Sequence, residues 1–295
     1  MKNKGDWMLL LAAFIGGGGF ISVKYLLEWG YTPYQLIFGR FVMAVLCMGL
    51  VYHRQFPKIT KKEWKVGGIL GALLAAMFVL MTVGLKHTTP SVNAFLTNIP
   101  AVIVPFICWG VFRQKPSKNC FIAAGMTLVG VSMLSLTADF RVDLGAVLSL
   151  AAAFAFSLQM AFLGNLTEGC DSVHIALTEN IATFAVMAVL MCFMGWDMPA
   201  LTMPAFGNFF FLGAFCTAGY FALQSAGQQI TSPNKAAIII TSESIFAAIF
   251  SALLYGERMS LRGYLGGVII FAAMTLAEQP AKEEEIVVDK ANEME

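Results

Sequence analysis

Charge is scarce in this sequence. Asp, Glu, Lys and Arg make up 13% of the residues, against about 25% in a soluble domain whose surface must be wetted. A water-soluble enzyme or binding domain is excluded on that ground. The net charge of +1 marks out neither a nucleic-acid partner nor an acidic one. Cysteine is sparse and scattered (Cys47, Cys108, Cys120, Cys170, Cys192 and Cys216), with no Cys-x-x-Cys pair and no zinc-like spacing. Most of these thiols stand in apolar runs, where they act as small packing hydrophobes. There is no Walker A pattern, and the short loops leave no room for an ATPase domain. His53, His87 and His174 fall at loops or helix ends, and neither His-Glu-x-x-His nor Gly-x-Ser-x-Gly occurs. An intramembrane enzyme would therefore lack its nucleophile, base or ligands. No catalytic residue, metal or cofactor is expected.

What is abundant is long apolar sequence. Hydrophobic residues make up 58%, with a mean hydropathy of +0.73. A helix needs about 20 mostly apolar residues to cross the hydrocarbon core, and such runs recur: Trp7–Glu28, Pro33–Tyr52, Lys65–Lys86, Pro90–Phe112, Lys118–Thr137, Asp143–Asn165, Val173–Met194, Pro204–Ser225, Ser232–Tyr255 and Met259–Glu278. Turn chemistry separates them, as in Tyr31-Thr32-Pro33, His87-Thr88-Thr89-Pro90 and Gln114-Lys115-Pro116. A β-barrel would alternate over about 10 residues instead. Trp7–Glu28 is too long for a signal h-region and lacks a small-x-small cleavage site. The expected fold is an all-α integral membrane protein of ten transmembrane helices in the lipid bilayer.

Lys and Arg in short loops set orientation. With the N-terminus inside, the cytoplasmic face collects Lys2, Lys4, Arg54, Lys58, Lys61, Lys62, Lys65, Arg113, Lys115, Lys118, Lys235, Lys282 and Lys290. Lys86, Arg141, Arg258 and Arg262 fall outside. Both termini are expected in the cytoplasm. An internal repeat is also visible. Sliding Thr89-Pro90-Ser91 onto Ser232-Pro233-Asn234 pairs Pro90 with Pro233, and the same offset pairs Ser117 with Ser260. Residues 1–138 and 139–280 then form two five-helix repeats, followed by a disordered acidic cytoplasmic tail at 281–295. An odd helix number inverts the second copy, and inverted repeats place a substrate site at their interface near the midplane.

Particular stretches sharpen this picture: Ser232-Pro233-Asn234-Lys235-Ala236-Ala237, Ser242-Glu243-Ser244-Ile245-Phe246, Tyr255-Gly256-Glu257-Arg258-Met259-Ser260 and Gly266-Gly267. The first half echoes them with Leu85-Lys86-His87-Thr88-Thr89, Asn93-Ala94-Phe95 and Pro105. A Gly-rich first helix ending in Phe20 and Lys24 and an Arg40 in the second complete the set. The chain resembles EamA-type members of the drug/metabolite transporter superfamily along its length, the tail excepted. It departs from the family pattern in having Glu243-Ser244 for Glu-Pro and Phe112-Arg113-Gln114 for Gly-Glu-Arg. The resemblance implies ten helices as two inverted fives, a central cavity and alternating access. It implies export of small metabolites such as amino acids, or, as the alternative, facilitated or efflux transport of hydrophobic toxic compounds. A symmetric channel would need a ring of like residues from several copies; one pseudo-symmetric chain works as a monomer or homodimer.

An ionisable group inside the membrane costs about 2.5–3.5 kcal/mol on insertion scales and marks a functional site by default. Glu243 lies halfway along the ninth span. It is the candidate proton-coupling carboxyl, or else a structural one tying that helix to a neighbour. Lys24 and Arg40 could attract a substrate carboxylate, or pair with Glu28 and snorkel. Glu179, about two turns from a span end, reads as interfacial. Asn93, Thr97 and Asn98, Gln159, Tyr220 and Gln224 could line a polar cavity or act as interhelical glue. Gly16 to Gly19 suit close helix packing, and Pro100 and Pro105 bend the fourth span.

Overall fold

The computed structural model describes residues 2–135, 143–257 and 260–278. The acidic tail, Arg141 and Arg258 lie outside the described residues. The helices are α1 (Lys2–Glu28), α2 (Pro33–Tyr52), α3 (Lys61–Lys86), α4 (Pro90–Thr97), α5 (Pro100–Phe112), α6 (Lys118–Ser135), α7 (Leu144–Leu166), α8 (Ser172–Met194), α9 (Met203–Phe210), α10 (Tyr220–Gln228), α11 (Pro233–Phe250) and α12 (Leu261–Glu278). A π-helical stretch, Phe211–Gly219, joins α9 to α10, and a second, Ser251–Tyr255, extends α11. Counting α4 with α5, and α9 with its π stretch and α10, as single rods gives ten rods among the described residues. Eight of them are long and apolar enough to cross a bilayer; α6 and α12, each of 18 residues, pack against each other to complete the set.

Local chemistry sets where each rod begins. Thr32 and Thr60 close capping boxes with Gln35 and Glu63, and Asp143, Asp171, Thr202 and Ser232 cap α7, α8, α9 and α11. Proline opens α2, α4 and α11, where its missing N–H costs nothing. Gly256 stops the ninth rod with φ +69°, a conformation glycine adopts without a Cβ clash.

The outer surface is apolar. Leu50, Phe193 and Leu253 are each at least 75% exposed, and Leu11, Phe121, Leu128 and Val268 stand out beside them. A soluble monomer exposes no comparable apolar surface. All five tryptophans are exposed near rod ends. Trp7, Trp64 and Trp109 lie at one face, and Trp29 and Trp196 at the other. That placement makes interfacial belts. Polar contacts then sort the loops into two faces. At one, Gln35 Nε2 donates to the Asp197 carbonyl at 2.7 Å, Tyr255 donates to the Glu28 carboxylate, and Ser91 Oγ donates to Glu257 at 2.8 Å. At the other, Lys235 pairs with Asp6 at 2.8 Å, Lys62 donates to the Glu168 carbonyl, and Glu63 accepts from the Asp171 N–H at 2.9 Å.

Inside, glycines let rods touch. A Cβ on Gly71 would come within 2.5 Å of the Glu179 carbonyl, so α3 and α8 meet backbone to backbone. Gly213 does the same against Arg40 and Ala44 of α2. The principal neighbours are α1 with α11 and α10, α3 with α7 and α8, α2 with α8 and the first π stretch, and α4 and α5 with α7 and α11.

Candidate functional site

Between the rods lies a narrow cavity of about 40 Å3, bordered by α1, α2, α3, α4, α7, α11 and the π–α10 rod. Phe20, Phe78, Phe156, Phe221, Met77 and Met81 make most of its wall apolar. Arg40, Thr97, Asn98, Tyr220 and Glu243 supply its polar groups. Glycine keeps room for the carboxyl: a Cβ on Gly16 would stand 2.7 Å from Glu243 Oε1 and 2.9 Å from the Tyr220 ring. The Gly16–Gly19 run is packing surface, with α1 unbroken through it.

Glu243 Oε2 accepts from the Tyr220 hydroxyl at 3.0 Å. Arg40 is held by the same rod that carries Tyr220. Its Nε donates to Thr217 Oγ1 at 2.5 Å and an Nη to the Cys216 carbonyl at 2.6 Å, while the guanidinium carbon sits 4.3 Å from the centre of the Phe78 ring. Both acceptors lie in the π stretch, whose wider turns shift the backbone pairing away from the i→i−4 ladder. Thr217 Oγ1 in turn reaches back to the Leu212 carbonyl at 2.7 Å. No ion pair joins Arg40 to Glu243 among the described residues, so the two opposite charges face one cavity while each is held separately.

The fourth rod is broken rather than bent. α4 ends at Thr97, Asn98 and Ile99 leave helical geometry, and Pro100 starts α5. Pro105 lies inside α5 without ending it. Thr241 Oγ1 of α11 is shared between the Ala237 carbonyl of its own helix at 2.9 Å and the released Asn98 carbonyl at 3.2 Å. Thr97 Oγ1 is buried and has no hydrogen-bond partner among the described residues, at the cavity wall.

The other sequence candidates fall outside that wall. Lys24 does not pair with Glu28. Its ammonium donates to the Leu85 and Thr88 carbonyls at 3.4 and 3.3 Å, closing the end of α3. Asn93 ties α4 to its neighbours, donating to the Met81 carbonyl at 3.1 Å and Ser149 Oγ at 2.7 Å. Gln159 and Gln224 belong to a second buried polar cluster. Glu179, about two turns into α8, is fully buried among the helices, with Oε1 accepting from Gln159 Nε2 at 2.7 Å. Gln228 and Thr217 also went unmarked in the sequence. The four-residue spacing of Tyr220, Gln224 and Gln228 is the signal that could have found the first.

The EamA-like transporter family model matches residues 3–136 and again 143–278, nearly the whole chain in two copies. The chain belongs to the EamA-like transporter family. An uncharacterized transporter of Archaeoglobus fulgidus is 26% identical over 271 residues, 92% of this chain and 84% of the relative. An uncharacterized inner membrane transporter of Salmonella typhimurium is 23% identical, covering 93% of this chain and 95% of its own. A WAT1-related protein of Arabidopsis thaliana is 20% identical, covering 91% and 86%. One crystal structure superposes with a TM-score of 0.70 at 11% identity, covering 94% of this chain and 97% of that one, a likeness of fold. This EamA-like protein is thus a multi-pass membrane transporter for a small molecule, and its relationships point away from catalysis.

Proposed function

We propose that this protein is a secondary carrier that exports amino-acid-like metabolites by alternating access, driven by a proton gradient. The observation that carries the reading is the cavity itself: Arg40 and Glu243 face one largely apolar chamber without pairing to each other. A zwitterion with an apolar side chain complements all three features, carboxylate to Arg40, ammonium to Glu243 and side chain to the aromatic wall. Charge complementarity of this kind selects a partner more than it adds affinity. Glu243 is the proton-coupling group, since a proton and a substrate ammonium compete for one carboxylate. The inverted-repeat reading, residues 1–138 against 139–280, is supported by the two family matches and by the packing. Exchanging the first five rods with the second five turns α1–α11 into α7–α4/α5, α3–α8 into the π stretch of the eighth rod against α2, and α6–α12 into itself. Both termini face the cytoplasm, with the relative of Salmonella supporting an inner-membrane location.

A second reading, efflux of hydrophobic toxic compounds, is favoured by the phenylalanine and methionine wall. Uptake of labelled amino acids into liposomes, with and without a pH gradient, separates the two. Saturable uptake of apolar amino acids, accelerated by the gradient in the native protein and indifferent to it in Glu243→Gln, is expected. A Glu243→Gln protein that keeps the full gradient response removes proton coupling from this residue. Uptake of apolar cations but of no amino acid selects the second reading.

A further inference from the structure

Outside the cavity the most unusual buried group is Glu179. It is fully buried on α8, its Oε1 held by Gln159 of α7, while Oε2 has no hydrogen-bond partner among the described residues. Gln159 Oε1 accepts from Gln224 Nε2 at 3.4 Å, and the same Nε2 stands 3.2 Å from Gln228 Oε1. Gln224 Oε1, Gln228 Nε2 and the neighbouring Ser225 Oγ are buried and unpartnered. Gln228 then reaches a polar surface pocket that it shares with Gly164, Asn165, Thr167, Glu168 and Gln229, at the loop face holding Lys62 and Asp171. Tyr220, Gln224 and Gln228 are spaced by four along α10 and so form one stripe. That stripe runs from Glu243 in the cavity, past Gln159 and Glu179, to the loop face.

We propose that Glu179 is a second proton-binding site of this transporter, loaded from the loop face along water held by Gln228 and Gln224 beside the Gln159 amide. The inference rests on the carrier reading above and adds a proton route to it. Buried polar atoms that lack protein partners are met by ordered water when the site is polar, and here such atoms occur on Gln228, Gln224, Ser225 and Glu179, with Gln159 bonded directly between Gln224 and Glu179. The step is a simple transfer: a hydrated proton at the pocket releases its proton along the water, and an O–H bond forms on Glu179 Oε2. The reverse step breaks that bond and returns the proton to water. The amides orient the water and are not themselves protonated.

The charged and titratable groups on the packed elements leave Glu179 to act alone. From α3, Glu63 lies toward the loop face in a 3.0 Å contact with His174 Nδ1. Arg40 and Cys47 come from α2, the former committed to Thr217 and Cys216. The π stretch brings the Cys216 thiol, which donates to the Ile15 carbonyl at 3.3 Å. α10 brings Tyr220, bonded to Glu243, and α7 carries no charged residue. None of these bonds to the Glu179 carboxyl.

Infrared difference spectroscopy of the full chain in lipid nanodiscs, taken across a pH titration, tests the proposal without any substrate. A carboxylic-acid band that titrates, is absent in Glu179→Gln and persists in Glu243→Gln is expected. In Gln228→Leu the band remains but its exchange in D2O slows several-fold, because the route is cut at its mouth. A spectrum unchanged by Glu179→Gln, or exchange as fast in Gln228→Leu as in the native protein, overturns it. Should Glu179→Gln fail to fold, Gln228→Leu decides alone. As no transport is measured, failure here is separate from failure of the carrier reading in the liposome assay.

Discussion

Gly17 and Gly49 show how a single residue type does opposite work on one protein. A Cβ on Gly17 would stand 2.9 Å from the Ala247 backbone nitrogen and 2.7 Å from Phe246 Cβ, so α1 and α11 would have to separate. Around Gly49 of α2 there is open space. Alanine is the better helix former by up to about 1 kcal/mol, yet overpacking a close contact costs about 1–3 kcal/mol. Gly17→Ala is therefore expected to lower the thermal unfolding midpoint in detergent, and Gly49→Ala to hold or raise it. Equal shifts for the two would contradict the α1–α11 contact. The same scale separates what could and could not be read from sequence. Glu243 was legible because an acid halfway along an apolar run is costly wherever it points. Glu179 was not, because its distance from a span end does not say whether its side chain turns toward other helices.

At the scale of elements, the broken fourth rod and the π stretch in the eighth matter most. Both expose backbone carbonyls inside a membrane, where an unsatisfied polar group costs several kcal/mol. Each break has its own answer on a neighbouring rod: Thr241 for the Asn98 carbonyl and Arg40 for the Cys216 carbonyl. Thr241→Val keeps the shape and removes the donor. It is expected to destabilise by about 0.6–1.7 kcal/mol, the range of membrane interhelical hydrogen bonds, read as a lowered midpoint in the same unfolding assay. No change would mean that the carbonyl is satisfied elsewhere. Pro100 announced the first irregularity, since it cannot donate to the ladder. Nothing in Phe211–Gly219 announced the second, and within it Gly213 meets the Arg40 backbone across two rods.

For the molecule as a whole, contacts among loops divide the chain into two faces that a labelling experiment can separate. Single cysteines at Gln55 and Gly169, in a background with the six native cysteines replaced, belong to one face; cysteines at Gly30 and Pro199 belong to the other. A membrane-impermeant maleimide added to intact cells is expected to label the second pair and spare the first, as the lysine-rich loops require. Labelling of one member from each pair would break the ten-crossing arrangement itself.

The sequence by itself determined the membrane class, the count of crossings and the limits of most rods, because these depend on the length and polarity of contiguous segments and on caps formed by near neighbours. It also marked Arg40, Tyr220 and Glu243, whose polarity stands out in apolar surroundings. Only the tertiary structure decided that these three share one cavity while Lys24 and Asn93 seal rod contacts elsewhere. Which face of a membrane helix turns inward depends on where small residues on other helices permit close approach, and that is a relation between distant parts of the chain.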